Sequence, residues 1–219
     1  MRRWAPEAKG DREPMNKVQL ALQHLRDADP ILGGIIARVG PYRIRYAEPD
    51  FETLARSIVL QQLSGASARA IFDRLKTAAC RDGRITAEGV LGLGDAELRA
   101  VGLSQQKVKY LRDLAARTHS GQVELSRLGS RTDAEVIEAL TVVHGVGLWT
   151  AQMFLLFALR RPDVLATGDL GIRSAIRAAY RLRDLPKSAR IEAIARRWHP
   201  HCSVACWYLW RSLEEAVGL

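Results

Sequence analysis

The sequence has 219 residues, 47% of them hydrophobic, with a formal net charge of +9 and a pI near 9.9. That length and apolar content suit one large or two small globular domains and exclude a disordered chain. The charge suits a polyanionic partner; no run of about eighteen apolar residues offers a membrane span; and three cysteines make no disulfide framework, which fits a reducing cytoplasm.

Residues 1–15 are polar, contain Pro6, Gly10 and Pro14, and lack the apolar core of a secretory signal. They are expected to be a disordered arm ahead of a domain spanning 16–219. From Lys17, the apolar residues Val18, Leu20, Leu22 and Leu25 predict a helix that stops near Pro30, and Ile31, Ile35, Ile36 and Val39 a second one ended by Gly40-Pro41. Tyr42 to Tyr46 alternates like a strand but has no evident partner, so a loop is expected. Phe51 to Leu75 is strongly helical, interrupted by Gln61-Gln62-Leu63-Ser64-Gly65. Those residues form either a solvated helix end with Ser64 as a cap or a ligand-facing junction. Thr86 to Gly94 reads as loop. A short helix at Ala96–Val101 and a turn at Gly102–Ser104 precede a helix at Gln105–Arg117 bearing Lys107, Lys109 and Arg112, whose bland reading is a solvated face. Thr132 or Asp133 caps the next helix. Ile172 to Tyr180, Pro186 to Trp198 and Ser203 to Val217 complete an all-α chain with no confident sheet.

The most informative stretch is Leu140 to Ile176. A helix ends near Val143, His144-Gly145-Val146-Gly147 forms a tight turn, and a second helix starts at Leu148. Gly145 and Gly147 let the turn expose its N–H groups at a helix N-terminus, where unpaired donors and the helix dipole favour an anion. For a basic protein that anion is a nucleic-acid phosphate. His144 either touches a phosphate or sits on the surface. Asp169 stands on the loop beyond, just before another helix. It is either a helix cap or the single carboxylate of a reactive site. Asp163 follows Arg160-Arg161-Pro162 and reads as a solvated loop position. His199, His201, Cys202 and Cys206 match no standard zinc spacing, so ordinary packing, and no metal, is expected there.

Leu140, Val143, Gly145, Val146, Gly147, Thr150 and Ala151 resemble a helix-hairpin-helix motif, at 140–152. With Trp149-Thr150-Ala151 and Asp169-Leu170-Gly171-Ile172-Arg173, the chain from about Pro49 onward is similar to the helix-hairpin-helix (HhH-GPD) DNA glycosylases, in particular 3-methyladenine DNA glycosylase II. The resemblance implies a two-lobed helical fold with the active site in the cleft between lobes. It implies Asp169 as the catalytic carboxylate, and Trp149 and Trp210 as walls of the pocket for an extruded base; Trp207 reads as core or interface. It also implies DNA contacts from Gly145, Val146, Gly147 and Thr150, and a duplex-wedging junction at Gln62, Leu63 and Ser64. Bifunctional relatives carry a Schiff-base lysine where Trp149 stands, so a water-using enzyme without lyase activity is expected. Only Cys202 and Cys206 follow the catalytic loop, so no iron–sulfur cluster is expected, nor any other cofactor. The implied activity is removal of alkylated purines from damaged double-stranded DNA by a monomer, in a bacterial cytoplasm at the nucleoid. The rival readings are a glycosylase of the same fold acting on oxidised or mismatched bases, and a non-catalytic hairpin module that binds DNA.

Overall fold

A computed structural model describes residues 15–63 and 65–216. The arm expected over 1–15 lies outside the described residues except for Met15, the first residue of a helix, and so does Ser64. The described residues fold into twelve α-helices: α1 (Met15–Ala28), α2 (Pro30–Val39), α3 (Phe51–Leu60), α4 (Gly65–Ala79), α5 (Ala87–Leu91), α6 (Asp95–Ala100), α7 (Gln105–His119), α8 (Asp133–Thr141), α9 (Leu148–Phe157), α10 (Leu170–Ala179), α11 (Ser188–Ala195) and α12 (Cys202–Ala216). Short 3-10 turns cover Leu125–Ser130 and Arg196–Trp198. No helix among the described residues is long and apolar enough to cross a membrane.

Side-chain caps set six of the twelve helix starts among the described residues. Asp29, Asp50, Thr86, Ser104, Thr132 and Asp169 each accept a backbone N–H in the first turn of α2, α3, α5, α7, α8 and α10. Such acceptors satisfy donors that have no partner within the helix. Thr132 does so within a capping box completed by Glu135, resolving the Thr132 or Asp133 alternative. The loop expected over Thr86–Gly94 contains α5, a helix too short to show a periodic pattern. A two-stranded antiparallel hairpin, β1 (Cys80–Arg81) and β2 (Arg84–Ile85), also went unforeseen. Its turn is Asp82-Gly83, with φ of 50° and 84°, and an Asp-Gly pair with both residues left-handed is a strong hairpin signal.

The chain divides into two compact units, one holding Ala47–Leu159 and the other holding 15–46 and 160–216. In the first, α3 packs on α4, α7 and α9, α5 on α7, and α8 on α9. Its core includes Leu54, Ile58, Leu75, Leu111, Leu140 and Phe154. In the second, α12 packs on α10, α2 and α1, around Leu25, Leu32, Ile36, Ile172, Trp198 and Tyr208. Burying each large apolar side chain contributes roughly 1.5–3 kcal/mol. Buried Asp29 adds a polar tie to the second unit. Besides capping α2, it accepts from Trp198 Nε1 at 2.8 Å and from the Tyr180 hydroxyl, so its charge is fully hydrogen-bonded.

Candidate active site

In the first unit, α8 ends at Thr141 and the turn through Val142–Gly147 leads into α9. Gly145 has φ of 84°, a left-handed conformation that L side chains rarely adopt. A Cβ there would also lie 2.2 Å from the Tyr110 ring of α7. The Gly145 carbonyl accepts from Gln61 Nε2 at 2.8 Å, tying the turn to the end of α3. Asp113 accepts the His144 N–H at 2.8 Å and pairs with Arg117 at 2.9 Å. Burial pushes the Asp113 carboxyl up, but those two partners outweigh it and hold it below its ordinary value. The His144 side chain is exposed. Val146 and Thr150 are buried, so their side chains pack inward, and what these residues can offer a ligand is backbone.

Gly147 differs from Gly145. It is the N-cap of α9 with no side-chain cap, its φ of −94° is open to any residue, and a Cβ on it would meet nothing within 4 Å. The fold therefore does not require glycine here, whereas an anion approaching the N–H groups of the first turn of α9 does need the space. The expected result is that Gly147→Val folds normally but binds damaged and undamaged duplexes equally more weakly, by about fivefold to tenfold, with a shallower salt dependence. Fluorescence anisotropy on both duplexes at several salt concentrations measures this. Unchanged affinity for undamaged duplex would remove the hairpin from the interface.

The junction after α3 is held by a residue whose bland reading from sequence is a solvated face. Lys107 is buried, and its Nζ donates to the carbonyls of Val59 at 2.7 Å and Gln61 at 2.6 Å, capping the C-terminus of α3. Burial lowers its pKa. Arg112 is likewise structural, bonded to Asp95 and to the carbonyls of Val90, Leu91 and Leu93. Of that trio only Lys109 is exposed. Just past the Lys107 cap, Gln62 has φ of 56° and Leu63 is 37% exposed. An apolar side chain is thus presented to solvent from a strained, braced turn, the form a duplex wedge needs.

In the second unit, Asp169 is both buried, 5% exposed, and the N-cap of α10. Its Oδ1 accepts the Ile172 N–H at 2.8 Å and the Trp210 Nε1–H of α12, also at 2.8 Å. The predicted carboxylate and one predicted pocket tryptophan are therefore bonded to each other. Gly171 makes this possible: a Cβ on it would lie 2.9 Å from Asp169 Oδ1 and 3.0 Å from Trp210 Cδ1. Trp207, expected in the core or an interface, is 8% exposed, with edge contacts to Tyr42 and Tyr208. Trp149 stands in the first unit, on the first turn of α9, and is 40% exposed, a large cost for an indole unless something covers it.

Comparison with known proteins identifies the family. Residues 55–201 match the family model for the HhH-GPD superfamily base excision DNA repair protein. The DNA-3-methyladenine glycosylase 1 of Schizosaccharomyces pombe is 33% identical over 198 residues, covering 88% of this chain and 86% of its own length. The DNA-3-methyladenine glycosylase of Saccharomyces cerevisiae is 34% identical over 171 residues, covering 71% of this chain and 57% of its own. Among solved structures, the S. pombe 3-methyladenine DNA glycosylase in complex with abasic DNA has a TM-score of 0.78 at 32% identity, over 88% of this chain and 95% of that one. A DNA-3-methyladenine glycosidase from Bacillus halodurans has a TM-score of 0.76 at 31% identity, over 91% of this chain and 96% of that one. The family match spans the turn at 144–147 and Asp169, and the mostly helical architecture is shared with the solved structures. The chain belongs to the HhH-GPD superfamily of base excision DNA repair proteins.

Proposed function

We propose that this protein is a monofunctional DNA glycosylase that hydrolyses the N-glycosidic bond of alkylated purines in double-stranded DNA. It acts as a monomer, on 3-methyladenine and 7-methylguanine first and on ethenoadenine more slowly. The observation that carries the proposal is the buried Asp169 carboxylate, aimed by the Ile172 N–H and the Trp210 indole N–H. Kinship with DNA-3-methyladenine glycosylases supports the substrate class.

The chemistry follows from that group. As the C1′–N bond lengthens, its electron pair leaves with the base and positive charge builds on the sugar. A fixed carboxylate stabilises that charge, and water adds to C1′ and releases a proton to solvent, giving an abasic site and the free base. The nucleotide must first leave the stack. Backbone N–H groups at the start of α9 grip phosphate, exposed Leu63 fills the vacated space, and the Trp210 ring bonded to Asp169 supplies aromatic surface for the base. Single-lesion duplexes read for alkali-labile product test this. Strong product with methylated purines is expected; product from oxidised bases alone overturns it.

The hydrolytic mechanism has its own test. A lyase needs an amine nucleophile at the sugar. Trp149 occupies the family position for it, and the Lys107 amine is engaged by two carbonyls. Borohydride added during turnover should trap no covalent protein–DNA adduct. A robust adduct on a denaturing gel assigns the protein a lyase step and refutes the monofunctional reading.

A further inference from the structure

The segment before Asp169 and the start of α12 are stitched together in the second unit. Ser203 Oγ donates to the Arg161 carbonyl at 2.6 Å and accepts the Val164 N–H at 3.0 Å. The Ser203 N–H donates to the Pro162 carbonyl at 3.0 Å. Asp163 Oδ1 accepts the Cys202 N–H at 3.2 Å, and Asp163 Oδ2 lies 2.7 Å from His199 Nδ1. The same imidazole nitrogen lies 3.6 Å from Cys202 Sγ. One donor atom from each of Asp163, His199 and Cys202 falls within 4.8 Å of the others. A capping role for Asp163 accounts for its bond to the Cys202 N–H. His199 is hydrogen-bonded to the same carboxylate, and the Cys202 thiol stands beside both, so three potential metal-ligand types meet at one point.

The geometry points to a zinc site formed by Asp163, His199 and Cys202, which clips the loop leading to Asp169 onto the first residue of the helix that carries Trp210. The donor set is thiolate, imidazole and carboxylate, each a common zinc ligand. Zn–S and Zn–N bonds of about 2.3 Å and about 2.0 Å at a tetrahedral angle put sulfur and nitrogen about 3.5 Å apart; the observed separation is 3.6 Å, while the 2.7 Å hydrogen bond between Asp163 Oδ2 and His199 Nδ1 opens to about 3.3 Å when both become ligands. The side chains of His199 and Asp163 are 49% and 33% exposed, so an ion has an entry path and water can take the fourth position. His199 can turn about χ2 to aim its lone pair, since that torsion is broad. On binding, Cys202 loses its thiol proton to solvent and coordinates as thiolate. Burial and the Asp163 carboxylate disfavour a bare thiolate there; a divalent cation between the two reverses that repulsion. Sequence spacing concealed the site because Asp163 lies 36 residues from His199.

Cobalt(II) is the probe, since tetrahedral thiolate coordination gives visible ligand-field bands and a near-ultraviolet sulfur-to-cobalt charge-transfer band. The full chain carrying Cys80→Ser removes the one exposed cysteine, and chelator dialysis strips metal before titration. One equivalent of cobalt should produce both bands, and zinc should abolish them. Cys206→Ser should leave them intact, since that thiol faces the Val164 carbonyl. Cys202→Ser should lose the charge-transfer band, and His199→Gln should weaken binding by more than about 100-fold, with the circular dichroism of both variants native. Zinc should raise the unfolding midpoint of the starting protein by about 5 °C or more, but not that of His199→Gln. Absence of the charge-transfer band, its survival in Cys202→Ser, or unaltered affinity in His199→Gln overturns the site.

Discussion

Asp169→Asn should keep its fold and its affinity for duplex while losing base release by roughly 10²- to 10³-fold, the scale on which a single electrostatic stabiliser acts. The two roles of Asp169 separate cleanly in this variant. As a cap, the residue needs only an oxygen that accepts the Ile172 N–H, and asparagine caps helices as well as aspartate does. The same amide oxygen can accept the Trp210 indole N–H, so the geometry around Gly171 survives. What vanishes is the negative charge that the proposed mechanism sets beside the sugar. Asp169→Ala would be a poorer experiment, since losing the cap alone costs about 1 kcal/mol and leaves the Trp210 donor without this acceptor. Single-turnover excision of 7-methylguanine, with thermal unfolding and binding measured alongside, gives the answer. Near wild-type excision by a stable Asp169→Asn protein would reduce Asp169 to a helix cap and remove the proposed mechanism.

Features written in local order were legible from the sequence, and features that depend on distant pairing were not. The 145–147 turn and the Asp169 cap each declare themselves within a few residues, through glycines around a turn and an acid before a helix. Family resemblance marked Trp210 only as a pocket wall; its bond to Asp169 spans 41 positions, and nothing in residue spacing predicts it. Lys107 misled because helical periodicity marks lysine as surface, while the carbonyls that receive it, on Val59 and Gln61, lie 48 and 46 residues earlier. Asp163 misled in the same way: a charged residue after Arg-Pro reads as solvated, yet it is half-buried against His199 and Cys202. Asp82-Gly83, by contrast, was a readable signal that two-residue strands were too short to support. The division of labour among the glycines is likewise set by three-dimensional contact. Gly145, Gly147 and Gly171 look alike in sequence, but only the first is demanded by backbone conformation and only the third by two side chains meeting across it.

The largest substrate effect is expected to follow the charge on the leaving base. Alkylation at N3 or N7 makes a purine cationic and weakens its bond to the sugar. Such a base departs as a neutral molecule, with little need of a proton donor. Asp169 can stabilise the sugar but cannot, while ionised, supply that proton. Methylated purines should therefore be released far faster than any uncharged lesion. The Trp210 ring sharpens the test, because an indole face attracts a cationic ring by about 0.5–2 kcal/mol, or roughly 2-fold to 30-fold. Two substitutions divide its contributions. Trp210→Phe keeps an aromatic face but deletes the N–H that holds Asp169 Oδ1, and should slow all substrates by similar factors. Trp210→Leu deletes both and should slow 7-methylguanine more than hypoxanthine, with the excess inside that range. Single-turnover rates on matched duplexes supply the ratios. Equal losses on charged and neutral bases in Trp210→Leu would confine Trp210 to positioning Asp169, and faster release of 8-oxoguanine than of methylated purines by the unaltered protein would transfer it to the oxidised-base repair class.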